Sequence, residues 1–381
     1  MTGIRVLEMS SVISGPYTGM MLADLGAEVI KVEMPGSGDV FRQWAGDDAA
    51  VSPPFAAFNP AKKSVALDVR EAVGAERYLD LASDVDVVFE NFRPGKLESY
   101  GVGLSAVKAR NPTVVYCAIS GMGSSGPNRD DPTYDAIAQA MSGLWSQLTD
   151  MDDPLPVGPP MCDQLASLYA VQGILSGLLH RERTGEGQTV EISMLGAALS
   201  FQSVAIANHL ETGAVSDMMD RAKRSQSYAF LCQDGKPIAI HLSTPDKFWE
   251  GLTDTVGRPD LYADDRFCTK PLRIRNYDLL RSVLSEEFAR RSRAQWLEGL
   301  RGADVPCAPI NTIEEALAEP QTVHLGIVQT FGDAGRQMRL AGSPLQFEGN
   351  PTLDRGPVPA VGEHTDEILG RVSLLTSSDT G

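Results

Sequence analysis

Residues 161–194 read MCDQLASLYAVQGILSGLLHRERTGEGQTVEISM, and the fold turns on how that stretch is divided. Asp163 opens an apolar run over residues 165–179 that is too long for an ordinary strand. His180, Arg181 and Arg183 close it with cations that suit the negative end of a helix dipole. The spacing predicts a helix with Asp163 near its N-cap. Ala166, Ser167, Ala170, Gly173, Ser176 and Gly177 alternate with Leu and Val around most of its circumference, so a central helix packed on several sides is expected. Residues 184–187 (TGEG) break the pattern. Val190, Ile192 and Met194 then alternate with Thr189, Glu191 and Ser193 at the period of a strand. By itself Asp163 reads as a capping residue that stabilises the helix by about 0.5–2 kcal/mol.

Composition bounds the rest. A chain of 381 residues, 43% of them hydrophobic, can form two domains with a substantial core. No apolar segment reaches the roughly 18–20 residues that span a bilayer. The start, MTGIRVLEMS, lacks the basic-then-apolar plan of a signal peptide, so a soluble, cytoplasmic protein is expected. Cys117, Cys162, Cys232, Cys268 and Cys307 are scattered, odd in number and without metal-ligand spacing, which reads as reduced packing residues and no metal. A formal charge of −17 disfavours binding to nucleic acid or anionic lipid. An anionic ligand then needs a locally positive pocket.

Upstream, residues 4–9 read as a buried strand, 17–25 as a helix and 28–33 as a second strand, a βαβ opening. Its turn lacks the G-x-G-x-x-G of dinucleotide sites, so no nicotinamide or flavin is expected. Val65, Leu67 and Val69 alternate as a strand, 71–81 as a helix, and 85–89 and 113–120 as further strands. Lys62, Lys63, Arg70, Arg93 and Lys96 gather in the loops after these strands, where open α/β sheets bind ligands. Residues 132–144 and 195–210 have helical patterns. Beyond a polar stretch at 211–227, residues 228–232 and 237–242 bracket an Asp-Gly turn, a hairpin signal. Helices at 246–256, 277–290 and 293–301 follow, then strands at 329–340 and in GSPLQFEG (342–349), and a last helix from GEHTDEIL. His364 in that phrase reads as structural, since no supporting base or orienter stands beside it.

The stretch around Asp163, with RERTGEGQ closing its helix, resembles the signature of the class III CoA-transferase family, also called the carnitine dehydratase, bile-acid-inducible or formyl-CoA transferase-like family. The likeness covers nearly the whole chain, and residues 35–44 (PGSGDVFRQW) are similar to a further family phrase. The resemblance implies an α/β fold with a large Rossmann-like domain and parallel sheet, a smaller α+β domain, and a chain that returns to the large domain at its C-terminus. It places the large domain at 1–210 with 330–381 returning, linkers at 211–227 and 319–329, and the small domain at 228–318. It implies an interlocked homodimer. Asp163 is then the nucleophile, with Tyr134 and Asp135 in support. Val12, Ile13, Leu67, Arg70, Asn91, Phe92 and Tyr100 match positions that line the coenzyme A site. Ser99 and Met34 stand where members of the family carry basic residues.

The activity implied is an acyl-CoA:carboxylate CoA-transferase, whose partners are an acyl-CoA donor and a small carboxylic acid acceptor. Two alternatives stand beside it, an α-methylacyl-CoA racemase or epimerase and an acyl-CoA-binding protein without turnover. Racemases of the superfamily carry His-Asp where this chain has Tyr134-Asp135. A phenol with a pKa near 10 is a poor base at neutral pH, which favours the transferase.

Overall fold

In the computed structural model residues 1–44, 51–243, 245–332, 337–348 and 356–378 are described, those after 371 by backbone alone. The chain divides into two compact units, one of Met1–Trp145, Gly158–Ile206 and Gly326–Gly381, the other of Ser146–Val157 and Ala207–Leu325.

The first unit alternates strand and helix: β1 (Arg5–Met9), α1 (Ser14–Asp24), β2 (Glu28–Glu33), α2 (Pro53–Ala56), β3 (Lys63–Ala66), α3 (Ala72–Ser83), β4 (Val87–Glu90), α4 (Lys96–Ser99), α5 (Leu104–Arg110), β5 (Val115–Ser120), α6 (Asp135–Met141), α7 (Met161–Thr184), β6 (Thr189–Ser193) and α8 (Met194–Phe201), with α9 (Ser203–Thr212) running from the first unit into the second. The six strands form one sheet in the order β3-β2-β1-β4-β5-β6, every pair parallel. Alternate residues face opposite sides, as strand geometry requires. Val6, Val87, Phe89 and Val115 pack with Leu22 of α1 and Ala166, Ala170 and Ile174 of α7. Leu7, Ile30 and Val88 pack with Tyr78 and Leu81 of α3 and with Ile368. Strands covered on both faces read as continuous apolar runs, and the four residues of β4 are all buried. Strand order reverses between β1 and β4, the point where open α/β sheets leave a crevice at the carboxyl ends of their strands.

α7 departs from its sequence reading in two ways. Pro160 is its N-cap, with no side-chain capping bond, and Asp163 is the third helical residue; the expected N-cap position of Asp163 is thus corrected. Proline suits the edge of a first turn, where its missing N–H has no partner to lose. The helix also buries one side, a stripe of Cys162, Asp163, Ala166, Ser167, Ala170, Ile174 and Gly177, while Leu168, Tyr169, Leu175 and Leu179 are exposed. Close packing on several sides is not found within one chain. Two glycines let the helix approach the sheet: a Cβ on Gly173 would stand 2.5 Å from Val190 Cγ1, and one on Gly177 2.8 Å from Val115 Cγ1.

α1 begins at Ser14 rather than Tyr17, because Pro16 is tolerated in a first turn. The apolar pattern at 195–210 divides into α8 and α9. His364 binds the edge of β3, its N–H donating to Ser64 O at 2.9 Å and its Nδ1 accepting from Ser64 N at 3.3 Å. This is a structural role.

The second unit holds an antiparallel sheet of β7 (Ser227–Leu231), β8 (Pro237–His241) and β9 (Cys307–Pro309). Helices Asp246–Thr255, Tyr277–Phe288 and Arg293–Gly302 supply Trp249, Phe288 and Trp296 to its core. Helices Asp220–Ser225 and Pro320–Leu325 occupy parts of the stretches expected as linkers. In the first unit β10 (Val328–Phe331) pairs with β11 (Met338–Ala341); within the expected strand region 329–340, residues 333–336 lie outside the described residues. Among the described residues no helix is long and apolar enough to cross a membrane.

Candidate active site

A cavity of about 230 Å³ opens at the switch point. The turn after β1 lines it with Ser11, Val12 and Ser14, and the turn after β4 with Asn91, Phe92, Arg93 and Pro94. The loop after β5 adds Arg129, Asp131, Thr133 and Tyr134, and Asp163 stands in the wall. Val12, Asn91, Phe92, Tyr134 and Asp163, far apart in sequence, are thus brought together by strand order.

The turn after β1 is held in an unusual shape. Val12 has φ +71°, a left-handed conformation that is an outlier for a β-branched residue and costs about 1–3 kcal/mol. Three bonds hold it. Asn91 accepts from Ser11 N at 3.0 Å and donates to Ser11 O at 2.8 Å, and Asp39 accepts from Val12 N at 3.3 Å. Asn91 also donates to Ser14 Oγ at 3.1 Å, which leaves the Ser14 hydroxyl proton free to point elsewhere. That hydroxyl and the Ser14 main-chain N–H both favour the ionised form of the Asp163 carboxylate.

Asp163 is 8% exposed. Burial, reinforced by the charge of Asp135 and opposed by Ser14, pushes its pKa up to about 7. Capping of α7 falls instead to Asp135, whose Oδ1 accepts from the Asp163 N–H at 3.1 Å. Asp135 is fixed in turn by Gln139, whose amide also donates to Pro159 O at 3.0 Å. The Ser167 hydroxyl reaches both Ser14 O, at 2.7 Å, and Asp163 O, at 2.8 Å, tying α7 to α1. Neighbouring Cys162 is fully buried, and burial with the charges of Asp135 and Asp163 pushes its thiol up to about 12, which disfavours the thiolate.

Beneath the β1 turn lies a buried ion cluster. Lys31 meets Glu8 at 2.9 Å and Asp39 at 3.0 Å, and Lys62 meets Glu8 at 2.7 Å, all four side chains being inaccessible. Burial opposes charge on Lys31, but Glu8, Asp39 and Glu33 outweigh it and hold its pKa above the usual value. Burial dominates at Lys62, which has Glu8 close by and is opposed by Lys31, and pushes it down to about 8. Lys62 is therefore not a rim cation available to phosphate. Lys63 is engaged by Glu28 at 2.8 Å and Glu367 at 2.9 Å.

The remaining residues implied for coenzyme A do not line this cavity. Leu67 packs in the core, and Arg70 is bound to Asp68 at 2.6 Å and to Met34 Sδ at 3.4 Å. Tyr100 lies under the Lys96 ammonium, 4.9 Å from its ring centre. Ile13 is the N-cap of α1. Sequence reading missed Ser14, which lines the cavity with Asp163, and Arg129, whose neighbours Asp130 and Asp131 make the local charge look negative.

Glu90, at the end of β4, accepts from Phe92 N at 2.6 Å, and burial pushes its pKa up to about 8. An acid with a raised folded pKa binds its proton more tightly when native. Its stabilising contribution is therefore complete below the ordinary carboxylate range and is lost as pH rises towards 8, by up to about 1.4 kcal/mol per pH unit. Glu90→Gln keeps an acceptor for Phe92. It is expected to raise the urea midpoint at about pH 9 and change it little near pH 5; equal midpoint changes at both would show that Glu90 is not held protonated.

Comparison with known proteins agrees with this geometry. Residues 1–365 match CoA-transferase family III. The chain is 33% identical to the succinyl-CoA:glutarate CoA-transferase of Mus musculus, over 97% of this chain and 86% of that protein. It is 31% identical to the acetyl-CoA:oxalate CoA-transferase of Acetobacter aceti, over 92% of each. The crystal structure of a CAIB/BAIF family protein from Brucella suis superposes with a TM-score of 0.87 at 30% identity, over 97% of this chain and 98% of that one. With sheet order, sequence and superposed structure in agreement, the chain belongs to CoA-transferase family III and is a CoA-transferase.

Proposed function

We propose that the chain moves coenzyme A from an acyl-CoA donor to a carboxylic acid through covalent attachment to Asp163. The observation that carries this is a carboxylate 8% exposed, in the wall of a cavity at the sheet's switch point that Ser14 also lines. A carboxylate oxygen of Asp163 attacks the thioester carbonyl carbon, the C–S bond breaks, and CoA leaves as thiolate from a mixed anhydride. The thiolate attacks the Asp163 carbonyl of that anhydride, releasing the donor acid as carboxylate and leaving an aspartyl-CoA thioester. The acceptor carboxylate attacks this thioester and expels the thiolate, which then attacks the acceptor carbonyl. New acyl-CoA and the Asp163 carboxylate result. No proton is gained or lost over the cycle, so it needs no acid–base partner, metal, nicotinamide or flavin. Covalent relay divides one exchange into easier steps.

In this reading Asn91, Phe92, Val12 and Ile13 receive the thioester end of CoA, and Leu67, Arg70 and Tyr100 its nucleotide end along the strand termini. Asp135 supports Asp163 by holding its main chain, and Tyr134, 71% exposed, borders the mouth. A large domain of 1–210 with 330–381, a small domain of 228–318 and joining segments at 211–227 and 319–329 frame a cytoplasmic, interlocked homodimer. Exposed Leu168, Leu175 and Leu179 on α7, with Leu199 and Phe201 on α8, form the kind of apolar surface that a second copy covers. Sedimentation at micromolar concentration is expected to give a dimer; a monomer would contradict the assembly.

The test of the activity is a screen of acyl-CoA donors against small mono- and dicarboxylic acids, read by mass. New acyl-CoA that appears only when donor and acceptor are both present supports the transferase. Exchange of the α-hydrogen of a branched acyl-CoA at the rate of turnover would point to a racemase instead.

A further inference from the structure

Gln139 is 2% exposed and stands on α6 one turn after Asp135. Its side-chain amide is a junction of three bonds. Nε2 donates to Asp135 Oδ2 and to Pro159 O at 3.0 Å, and Oε1 accepts from Trp145 Nε1 at 3.1 Å. These partners decide which way round the amide sits, since an indole N–H only donates and a proline carbonyl only accepts. A glutamate there could keep the Trp145 bond but would bring no proton to Asp135 or Pro159.

The bonds end at the parts of the chain that set the nucleophile. Pro160 is the N-cap of α7 and makes no side-chain capping bond, while the N–H groups of a first helical turn have no partner inside the helix. Asp135 Oδ1 takes up the one at Asp163, at 3.1 Å, and Gln139 holds the other oxygen of the same carboxylate. Pro159 stands immediately before the cap, and its carbonyl also accepts from Met161 N at 2.7 Å. The chain leaves the first unit after Trp145 and returns at Gly158, so one buried amide closes both ends of that excursion and ties the entry of α7 to α6.

A buried polar junction with its donors and acceptor engaged is rigid. Rigidity matters here, because a misplacement of about 1 Å at a reacting group can cost about 100-fold in rate. We propose that Gln139 is a positioning residue for CoA transfer: bound to Asp135, Pro159 and Trp145, it fixes the first turn of α7 and with it the carboxylate of Asp163 for attack on the thioester. The role rests on the transferase reading above. Gln139 does not line the cavity, so it acts through its partners, and through Asp135 above all.

Single-turnover CoA loading of the full-length protein from succinyl-CoA and from acetyl-CoA tests the assignment. Misfolding lowers the fraction of molecules that load, whereas misplacement lowers the rate at which they load. Gln139→Leu is expected to load to the wild-type extent about 100-fold more slowly. The half-saturating donor concentration should not change, since no contact with CoA is lost. Gln139→Glu, which keeps the shape of the side chain and the Trp145 bond, should be at least as slow, and it carries the test if the Leu variant does not fold. Combined with Asp135→Ala, Gln139→Leu should add no more than about a twofold loss, because residues acting through one path are not additive. Losses that multiply in the double variant would overturn the proposal, as would single variants that load at the wild-type rate, whether to full or reduced extent. Failure of both single variants to fold would assign Gln139 to the scaffold alone and overturn it too. A wild type that loads from no acyl-CoA would remove the transferase reading and this role with it.

Discussion

Asp163→Asn is expected to abolish CoA transfer, by at least about 10³-fold in kcat, and to leave the protein as stable as wild type or more so at pH 8. Asparagine cannot form an anhydride, so the residual turnover left when a merely orienting group is removed should be missing. The stability effect has the opposite sign to that of a lost cap. Removing a helix cap costs about 0.5–2 kcal/mol, but Asp163 does not cap α7. Its carboxylate is raised to about 7 by burial and by Asp135, so in the native chain it opposes folding as pH rises through that value. The amide relieves this. An active site that stores such a cost trades stability for function. Thermal melts at pH 8 beside transfer assays check both parts, and an Asn variant that is active but less stable would indicate a structural residue. The same raised pKa sets the pH profile: kcat/KM is expected to climb with an apparent pKa near 7 as the nucleophile ionises.

Glu8→Gln is expected to destabilise the protein by about 3–5 kcal/mol, the scale on which removing one partner of a buried ion pair leaves another charge uncompensated. Glu8 is fully buried and faces two lysines, at 2.9 and 2.7 Å. Two features separate this from ordinary core damage. Lys62, pushed down to about 8 in the intact cluster, should fall further without Glu8 and shed its proton, so the loss should shrink at about pH 9. Lys31 also holds Asp39 at 3.0 Å, and Asp39 accepts from Val12 N, so the strained turn beside Asp163 should loosen and transfer should fall in the molecules that remain folded. Urea unfolding at about pH 7 and pH 9, with activity per folded molecule, checks this; a loss under about 1 kcal/mol would mean that water or neighbouring groups replace the carboxylate.

Much of the fold was legible because the chain states it in periods. The strand expected at residues 28–33 is observed as Glu28–Glu33, and the Asp-Gly turn at 234–235 joins β7 to β8. The failures have local causes. Ser14-Gly15-Pro16 looks like a turn, yet the three residues open α1, since a first-turn proline loses no hydrogen bond. A Cβ on Gly15 would lie 2.1 Å from Ser10 Cβ, so glycine there lets α1 approach the end of β1. Lys62 read as a loop cation where ligands bind, whereas it is buried against Glu8, which β1 supplies.

The candidate site was legible only in pieces. Family likeness singled out Val12, Asn91, Phe92 and Asp163, but their meeting depends on β4 lying beside β1, which periodicity does not specify. Likeness could not indicate that Leu67, Arg70 and Tyr100 stand outside the cavity. Arg129 carried no signal at all, because only the fold brings it against the turn holding Arg93.

The central claim is that Asp163 carries coenzyme A. Wild-type protein mixed with an acyl-CoA donor and no acceptor, then digested and weighed, tests it most directly. The expected result is a CoA adduct on the peptide containing Asp163, discharged by hydroxylamine and absent from Asp163→Asn. An adduct mapped to Cys162, or one that persists in the Asn variant, would contradict it.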